Sequence, residues 1–234
     1  GLGGILADDM GLGKTLQVIA FLLAKQGEEK EPSLVVAPTS LMYNWLDEIE
    51  RFAPRLRVHM LQQQNRAETI AGLEPGDVLL TTYGLLASEA ELFASRSWGT
   101  AVLDEAHVIK NRDTKMSKAA MLLKADCRMI LTGTPLQNHL GEIWNLFEFI
   151  NPGLLGGFKG FTDRFIVPIE RERDKESQRL LKRLIAPFIL RRTKSDVLEE
   201  LPEKTEVVLK VSLSEAEAAF YEQQRQQADR KSVV

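Results

Sequence analysis

Three clusters of residues in this 234-residue chain have the types and spacing that phosphate chemistry needs. The first is Asp8-Asp9-Met10-Gly11-Leu12-Gly13-Lys14-Thr15, which follows an apolar run and opens a helical pattern. Gly11 and Gly13 allow a tight turn and the close approach of an anion, because a Cβ would obstruct either. Such a turn aims several backbone N–H groups at one point, and the helix terminus adds positive potential there. Asp9, Met10, Gly11, Leu12, Gly13, Lys14 and Thr15 therefore read as a phosphate cradle. In it Lys14 reaches the β- and γ-phosphates and the Thr15 hydroxyl ligates Mg²⁺. The strict pattern for such a loop begins with glycine, and this chain has Asp8 instead.

The second cluster is Ala101-Val102-Leu103-Asp104-Glu105-Ala106-His107. An apolar run followed by two carboxylates places the acids at the C-terminal end of a strand, where open α/β sheets bind ligands. Asp104 is the candidate second partner of the magnesium ion. Glu105 is the candidate base that orients and deprotonates an attacking water. The third cluster is Leu131-Thr132-Gly133-Thr134-Pro135-Leu136-Gln137-Asn138. Taken alone it is a polar turn. Following the other two in order, its Thr132, Gly133, Thr134 and Gln137, with His107, become candidates for coupling elements beside the γ-phosphate.

These clusters need a scaffold, and the hydrophobic pattern supplies one. Ile5–Ala7, Leu34–Ala37, Val78–Thr82, Ala101–Leu103 and Met129–Thr132 are short apolar runs that read as strands buried on both faces, and Arg57–Leu61 is a further candidate. Helical patterns lie between them at Lys14–Gln26, Leu41–Arg51, Leu85–Ser95 and Lys115–Lys124. This alternation predicts an α/β fold with a mainly parallel sheet flanked by helices. After Pro135 the pattern turns helical, at Gly141–Ile150, Phe161–Val167 and Glu176–Ile185, with a glycine-rich loop at 151–160 and breaks at Pro168 and Pro187. Lys204–Ser212 alternates like a strand, and Ser214 with Glu217 has the spacing of a capping box. The expected division is a core at 1–138, a helical extension at 139–203 and a closing strand and helix at 204–234.

Composition sets the limits. With 44% hydrophobic and 27% charged residues the chain can bury a sizeable core, and no apolar run reaches the ~20 residues of a membrane helix. A net charge of −3 does not advertise nucleic acid, yet Arg179, Lys182, Arg183, Arg191, Arg192 and Lys194 lie in one stretch without an acid. That stretch is either a solvated face or a phosphate contact. Cys127, the one cysteine, excludes an internal disulfide and reads as a buried thiol. The three histidines are scattered, so no structural zinc site is expected.

The order of these motifs resembles the Swi/Snf-type ATPases of helicase superfamily two. Val108-Ile109-Lys110-Asn111 after the Asp-Glu-Ala-His box, and Phe188-Ile189-Leu190-Arg191-Arg192-Thr193-Lys194, sharpen the likeness. Asp9 stands where that family usually has Glu. The resemblance implies a RecA-like ATP-binding lobe, with ATP and Mg²⁺ as ligands and a second RecA-like lobe, absent from this sequence, completing the site with an arginine finger. It also implies movement along double-stranded DNA, and a DNA-bound protein as a further partner. By similarity, Pro38-Thr39-Ser40 and Thr82-Tyr83-Gly84 match motifs that touch the DNA backbone, and Lys110, Asn111, Arg191 and Arg192 join them as candidates. Thr39 or Ser40 could instead simply cap the helix near Leu41.

An adenine-recognising segment would precede Gly1, so the sequence reads as an excised lobe with poor activity by itself. The family implies a cytoplasmic or nucleoid setting in bacteria and a nuclear one in eukaryotes. Two other functions stay open at this point: a superfamily-two helicase acting on RNA, and a non-catalytic nucleic-acid-binding module.

Overall fold

A computed structural model describes residues 2–28, 30–61, 65–133 and 139–197, and a few positions between 214 and 225. The chain divides into two compact units, Gly1–Val197 and Leu198–Val234. The strand expected at Lys204–Ser212 lies outside the described residues. In the second unit the Ser214–Glu217 capping box forms, with the Glu217 carboxylate accepting from both the backbone N–H and the hydroxyl of Ser214.

Among the described residues the first unit has seven strands: β1 (Gly4–Leu6), β2 (Ser33–Ala37), β3 (Val58–Met60), β4 (Val78–Thr82), β5 (Ser97–Leu103), β6 (Lys124–Leu131) and β7 (Ile189–Leu190). They form one sheet in the order β3-β4-β2-β5-β6-β1-β7, and every neighbouring pair is parallel. All five residues of β2 are buried, as a strand covered on both faces requires. The period of two sorts them: Leu34 and Val36 enter the core on one face, and Val35 and Ala37 the core on the other.

The face of Val35 is covered by α1 (Lys14–Lys25) and α2 (Met42–Phe52), through Val18, Ile19 and Leu22 of the first and Trp45 and Ile49 of the second. After the short α3 (Arg66–Ala71), the opposite face receives α4 (Tyr83–Ser88), α5 (Ala90–Ala94), α6 (Lys115–Met121) and α7 (Leu140–Ile150). Phe147 and Phe149 of α7 sit in the same core as Ile5 and Leu103, so the helical extension shares the core of the sheet. Its end is keyed to the start of β1. Gly3 exchanges two hydrogen bonds with the Asn151 side chain, and a Cβ on Gly3 would lie 2.5 Å from the carbonyl oxygens of Arg128 and Ile150.

Several expectations need correction. The helix expected at Leu85–Ser95 is two, because Glu89 leaves helical geometry between α4 and α5. The helix expected through Lys124 stops at Met121, and Lys124 already belongs to β6. Cys127 is half-buried in β6 rather than fully enclosed. Pro168 breaks nothing: α8 (Phe158–Phe161) runs into a π-helical segment, Thr162–Arg171, that contains it. The wider turn relieves the clash between a proline ring and the carbonyl one turn back. The next helix, α9 (Lys175–Ile185), is capped by Asp174, whose carboxylate accepts from the N–H groups of Glu176 and Ser177. Pro187 does sit at a break, a 3₁₀ turn leading into β7, and a last short helix, α10, spans Lys194–Val197. The pairing of β7 with β1 had no periodic signal, since two residues are too few to show one.

Candidate active site

Parallel strands end together, so their C-terminal ends gather the three motifs. Leu6 pairs with Leu131, and the Thr132 N–H donates to the Leu6 carbonyl at 3.1 Å. Leu103 pairs with Val36, and the Asp104 N–H donates to the Val36 carbonyl at 2.8 Å. Asp8, Pro38, Asp104 and Thr132 therefore all lie just beyond the same edge.

The loop after β1 turns through Gly11 at φ 89° and Gly13 at φ 71°, conformations that favour glycine, and Lys14 and Thr15 open α1. Lys14 Nζ donates to the carbonyls of Asp8 at 2.7 Å and Asp9 at 3.3 Å. A Cβ on Gly133 would stand 4.0 Å from the same nitrogen, so the third motif reaches Lys14. Thr132 is buried beside it. Thr134 and Gln137 lie outside the described residues.

Asp8, the departure from the usual loop pattern, is buried and held by Arg192. Its carboxylate accepts from the Arg192 backbone N–H at 2.9 Å, from Nε at 3.2 Å and from Nη2, and from Gln17 Nε2 at 3.1 Å. Gln17 Oε1 in turn accepts from Arg192 Nη2, and Gln17 Nε2 also donates to the Leu12 carbonyl. The guanidinium holds the Asp8 carboxyl below its ordinary pKa, with Gln17 and the Arg192 N–H assisting against burial. The basic stretch is thus not free of local compensation. Arg192 spends its charge on the phosphate loop, and the Lys194 N–H donates to Asp9 Oδ2 at 3.2 Å. The Lys194 side chain also runs alongside Gly11, within 3.7 Å of where a Cβ would stand. Arg191, and Arg179, Lys182 and Arg183 on α9, are exposed.

Asp104 is buried. One carboxylate oxygen accepts from Trp45 Nε1 at 2.9 Å, the other from the Glu105 N–H at 2.8 Å, and the Asp104 carbonyl accepts from the Tyr83 hydroxyl at 2.7 Å. Burial pushes its carboxyl above the ordinary value and the charge of Glu105 adds to this; the two N–H donors and Lys14 pull the other way without cancelling it. Glu105 adopts a left-handed conformation, φ 49° and ψ 50°, which costs a non-glycine residue about 1–3 kcal/mol. That cost concentrates at working sites. His107 Nδ1 lies 3.2 Å from Glu105 Oε2.

The oxygens available suit a hard cation. The Asp104 carboxylate keeps lone pairs after its two hydrogen bonds, and the Thr15 hydroxyl opens α1 nearby in the loop. Among the described residues no three His, Cys, Asp or Glu side chains cluster to hold a metal. Two protein oxygens of this kind fit magnesium, which takes one or two of them and completes its shell with phosphate and water.

The candidate nucleic-acid residues have mixed positions. Thr39 and Ser40 are exposed in a 3₁₀ turn ahead of α2, with Pro38 half-buried before them, and neither side chain caps the helix. Thr82 does cap a helix, α4, where its hydroxyl accepts from the Leu85 N–H at 3.3 Å, beside exposed Gly84. The Tyr83 side chain is buried and turned to Asp104, so it offers nothing outward, and burial holds its hydroxyl protonated as a donor. Lys110 pairs with Glu142 of α7 at 3.1 Å, which offsets its charge. Exposed Asn111 folds back to accept from the Asp113 N–H. Lys110 and Asn111 line a surface cleft with His107, His139 and Phe158, where Arg112 stacks over the Phe158 ring at 4.4 Å. No described helix is long and apolar enough to cross a membrane.

Sequence reasoning missed Trp45, Gln17 and the Asp8–Arg192 pair. Trp45 shares the apolar face of α2 with Met42 and Ile49, so its spacing signals core and nothing more.

Comparison with known proteins agrees with this geometry. The chain matches the SNF2-related domain over residues 1–233. It is 45% identical over 230 residues to YwqA of Bacillus subtilis, which carries the name of an ATP-dependent helicase/translocase; the match covers 95% of this chain and 25% of that protein. It is 39% identical over 228 residues to the ISWI chromatin-remodeling complex ATPase CHR11 of Arabidopsis thaliana, covering 94% of this chain and 22% of the relative. The chain thus spans about a quarter of the length of these relatives. Among solved structures it is similar to the SWI2/SNF2 ATPase core of Sulfolobus solfataricus in complex with double-stranded DNA, with a TM-score of 0.77 and 41% identity over 94% of this chain and 47% of that one. A parallel RecA-like sheet, three motifs gathered at one edge and a match along nearly the whole length lead to one conclusion: this chain belongs to the SNF2-related family, the SWI2/SNF2 ATPases of helicase superfamily two.

Proposed function

We propose that the chain is the ATP-binding lobe of a DNA-stimulated ATPase that moves along double-stranded DNA and remodels protein–DNA complexes, and that a second RecA-like lobe completes its active site. The observation that carries this reading is that strand pairing brings the ends of the three motifs, at Lys14, Gly133 and Asp104, to one C-terminal edge of the sheet. The resemblance to an ATPase core solved with duplex DNA favours DNA over RNA as the track.

Each residue has a task in this mechanism. The N–H groups of the loop cradle the phosphates, and Lys14 leaves the carbonyls of Asp8 and Asp9 to bind the β- and γ-oxygens. Bound magnesium would be held by Thr15 and Asp104 and would neutralise charge on the phosphate oxygens. Glu105, next in the chain and half-exposed, orients the attacking water and takes its proton, with His107 against its carboxylate. An arginine from the second lobe supplies the remaining charge at the transferring phosphoryl group, an effect worth about 10³–10⁵ in turnover. Exposed Thr39, Ser40, Gly84 and Arg191, with half-buried Thr82, are the candidates for the DNA backbone, since hydroxyls, backbone N–H groups and guanidinium groups all bond phosphates.

Steady-state ATP hydrolysis by the intact protein and by residues 1–234 tests this, each with duplex DNA, with single-stranded RNA and with neither. Strong stimulation by duplex DNA in the intact protein and little in the lobe is expected. Stimulation by RNA alone would favour an RNA helicase, and equal DNA-stimulated rates in both would refute the two-lobe mechanism.

A further inference from the structure

Asp104 is held from two directions by groups that the family motifs assign no catalytic task. Trp45 and Tyr83 are both buried, and each donates one hydrogen bond to Asp104: the indole N–H to the carboxylate, the phenol to the backbone carbonyl. An indole nitrogen can only donate, so once buried it needs an acceptor, and here that acceptor is the oxygen whose position decides how a cation sits. Trp45 stands on α2 within two turns of exposed Thr39 and Ser40. Tyr83 directly follows Thr82, the cap of α4, and precedes exposed Gly84. The helix that follows Thr39 and Ser40 and the backbone between Thr82 and Gly84 therefore each send one side chain inward, and the two converge on one aspartate.

We propose that Trp45 and Tyr83 are positioning residues that transmit nucleic-acid engagement at residues 38–40 and 82–84 to the orientation of Asp104 in the ATP site. The inference rests on the function proposed above. Its physical basis is the absence of slack. The bonds are 2.9 and 2.7 Å long, and a shift of about 1 Å along either would take it out of hydrogen-bonding range. The helix carrying Trp45 and the turn carrying Tyr83 are packed in separate cores, so each moves as a unit with its exposed end. Coupling of this kind is reciprocal: whatever DNA does to nucleotide affinity, nucleotide must do to DNA affinity.

The test uses the intact protein carrying Tyr83→Phe, Trp45→Phe or both. Tyr83→Phe removes one oxygen atom, and Trp45→Phe keeps an aromatic ring while deleting the N–H. Circular dichroism and thermal melting identify folded variants, and if Trp45→Phe does not fold, Tyr83→Phe decides alone. One measurement is the ratio of affinities for a fluorescent non-hydrolysable ATP analogue with and without duplex DNA. A second, independent of turnover, is Mn²⁺ affinity with ADP present, read by electron paramagnetic resonance. A third is DNA affinity without nucleotide, by fluorescence anisotropy. We expect DNA affinity within about twofold of wild type, Mn²⁺ binding weakened on the order of 10-fold, as for other partners that orient a metal-ligating carboxylate, and the DNA-dependent tightening of nucleotide reduced by about threefold or more. Variants that keep wild-type Mn²⁺ affinity and wild-type DNA-dependent tightening would overturn the inference. A wild-type protein whose nucleotide binding and ATPase both ignore duplex DNA would instead overturn the proposed function, and the inference with it.

Discussion

Arg192→Met should loosen the phosphate loop at its base, and the size of the effect follows from what Asp8 keeps. The buried Asp8 carboxylate loses the bonds from Nε and Nη2 but retains those from the Arg192 backbone N–H and from Gln17. Two charge-assisted bonds would be worth about 3–6 kcal/mol if fully enclosed. The Arg192 side chain is 42% exposed, so solvent screens the pair and brings the loss below that range, to about 2 kcal/mol. For a unit of nearly 200 residues that is roughly 4–8 °C in Tm. The sign with pH is set by Asp8, whose folded-state pKa is depressed. Its contribution is therefore fully present above the unfolded pKa and is lost as pH falls through the folded one. The gap between wild type and Arg192→Met should accordingly be constant near neutrality and close in acid. Calorimetric melting of both proteins from neutral to acidic pH measures it. A variant melting within about 1 °C of wild type at pH 7, or a gap that widens in acid, would show that Arg192 does not hold the loop.

Three further predictions concern the acid pair and its support. Glu105→Gln should bind ATP normally but lose about 10²–10⁴ in turnover in the intact protein, by steady-state kinetics against equilibrium nucleotide binding. Glu105→Gly should lose turnover as severely yet gain about 1 kcal/mol of stability in urea titration, because glycine accepts φ 49° without strain; a destabilised Glu105→Gly would refute the strain argument. Asn145→Ala removes the donor to the Ile109 carbonyl and to Ser117 Oγ in a buried setting, which should cost about 2–3 kcal/mol. Because Ile109 ends the turn that begins after Glu105, kcat should fall in the intact protein more than KM rises.

The sequence by itself determined what depends on neighbours along the chain. Gly-Lys-Thr between a strand and a helix, two acids after an apolar run and the alternation of strand with helix are all local patterns. They located the candidate phosphate loop, the acid pair and six of the seven described strands, because glycine dihedrals and the periods of two and 3.6 act over a few residues. Tertiary structure alone decided which side chains meet across long separations. Asp8 and Arg192 are 184 positions apart, and Trp45 and Asp104 are 59 apart. No pattern along the chain distinguishes an arginine facing solvent from one facing a buried carboxylate, or a core tryptophan from one whose N–H holds a buried aspartate. Tyr83 illustrates the limit. Its motif suggests a surface, but the parallel sheet brings β4 and β5 to the same edge with β2 between them, and the buried phenol finds its acceptor on the far strand's aspartate. A buried donor must be satisfied where the fold leaves an acceptor, and only the packed chain fixes where that is.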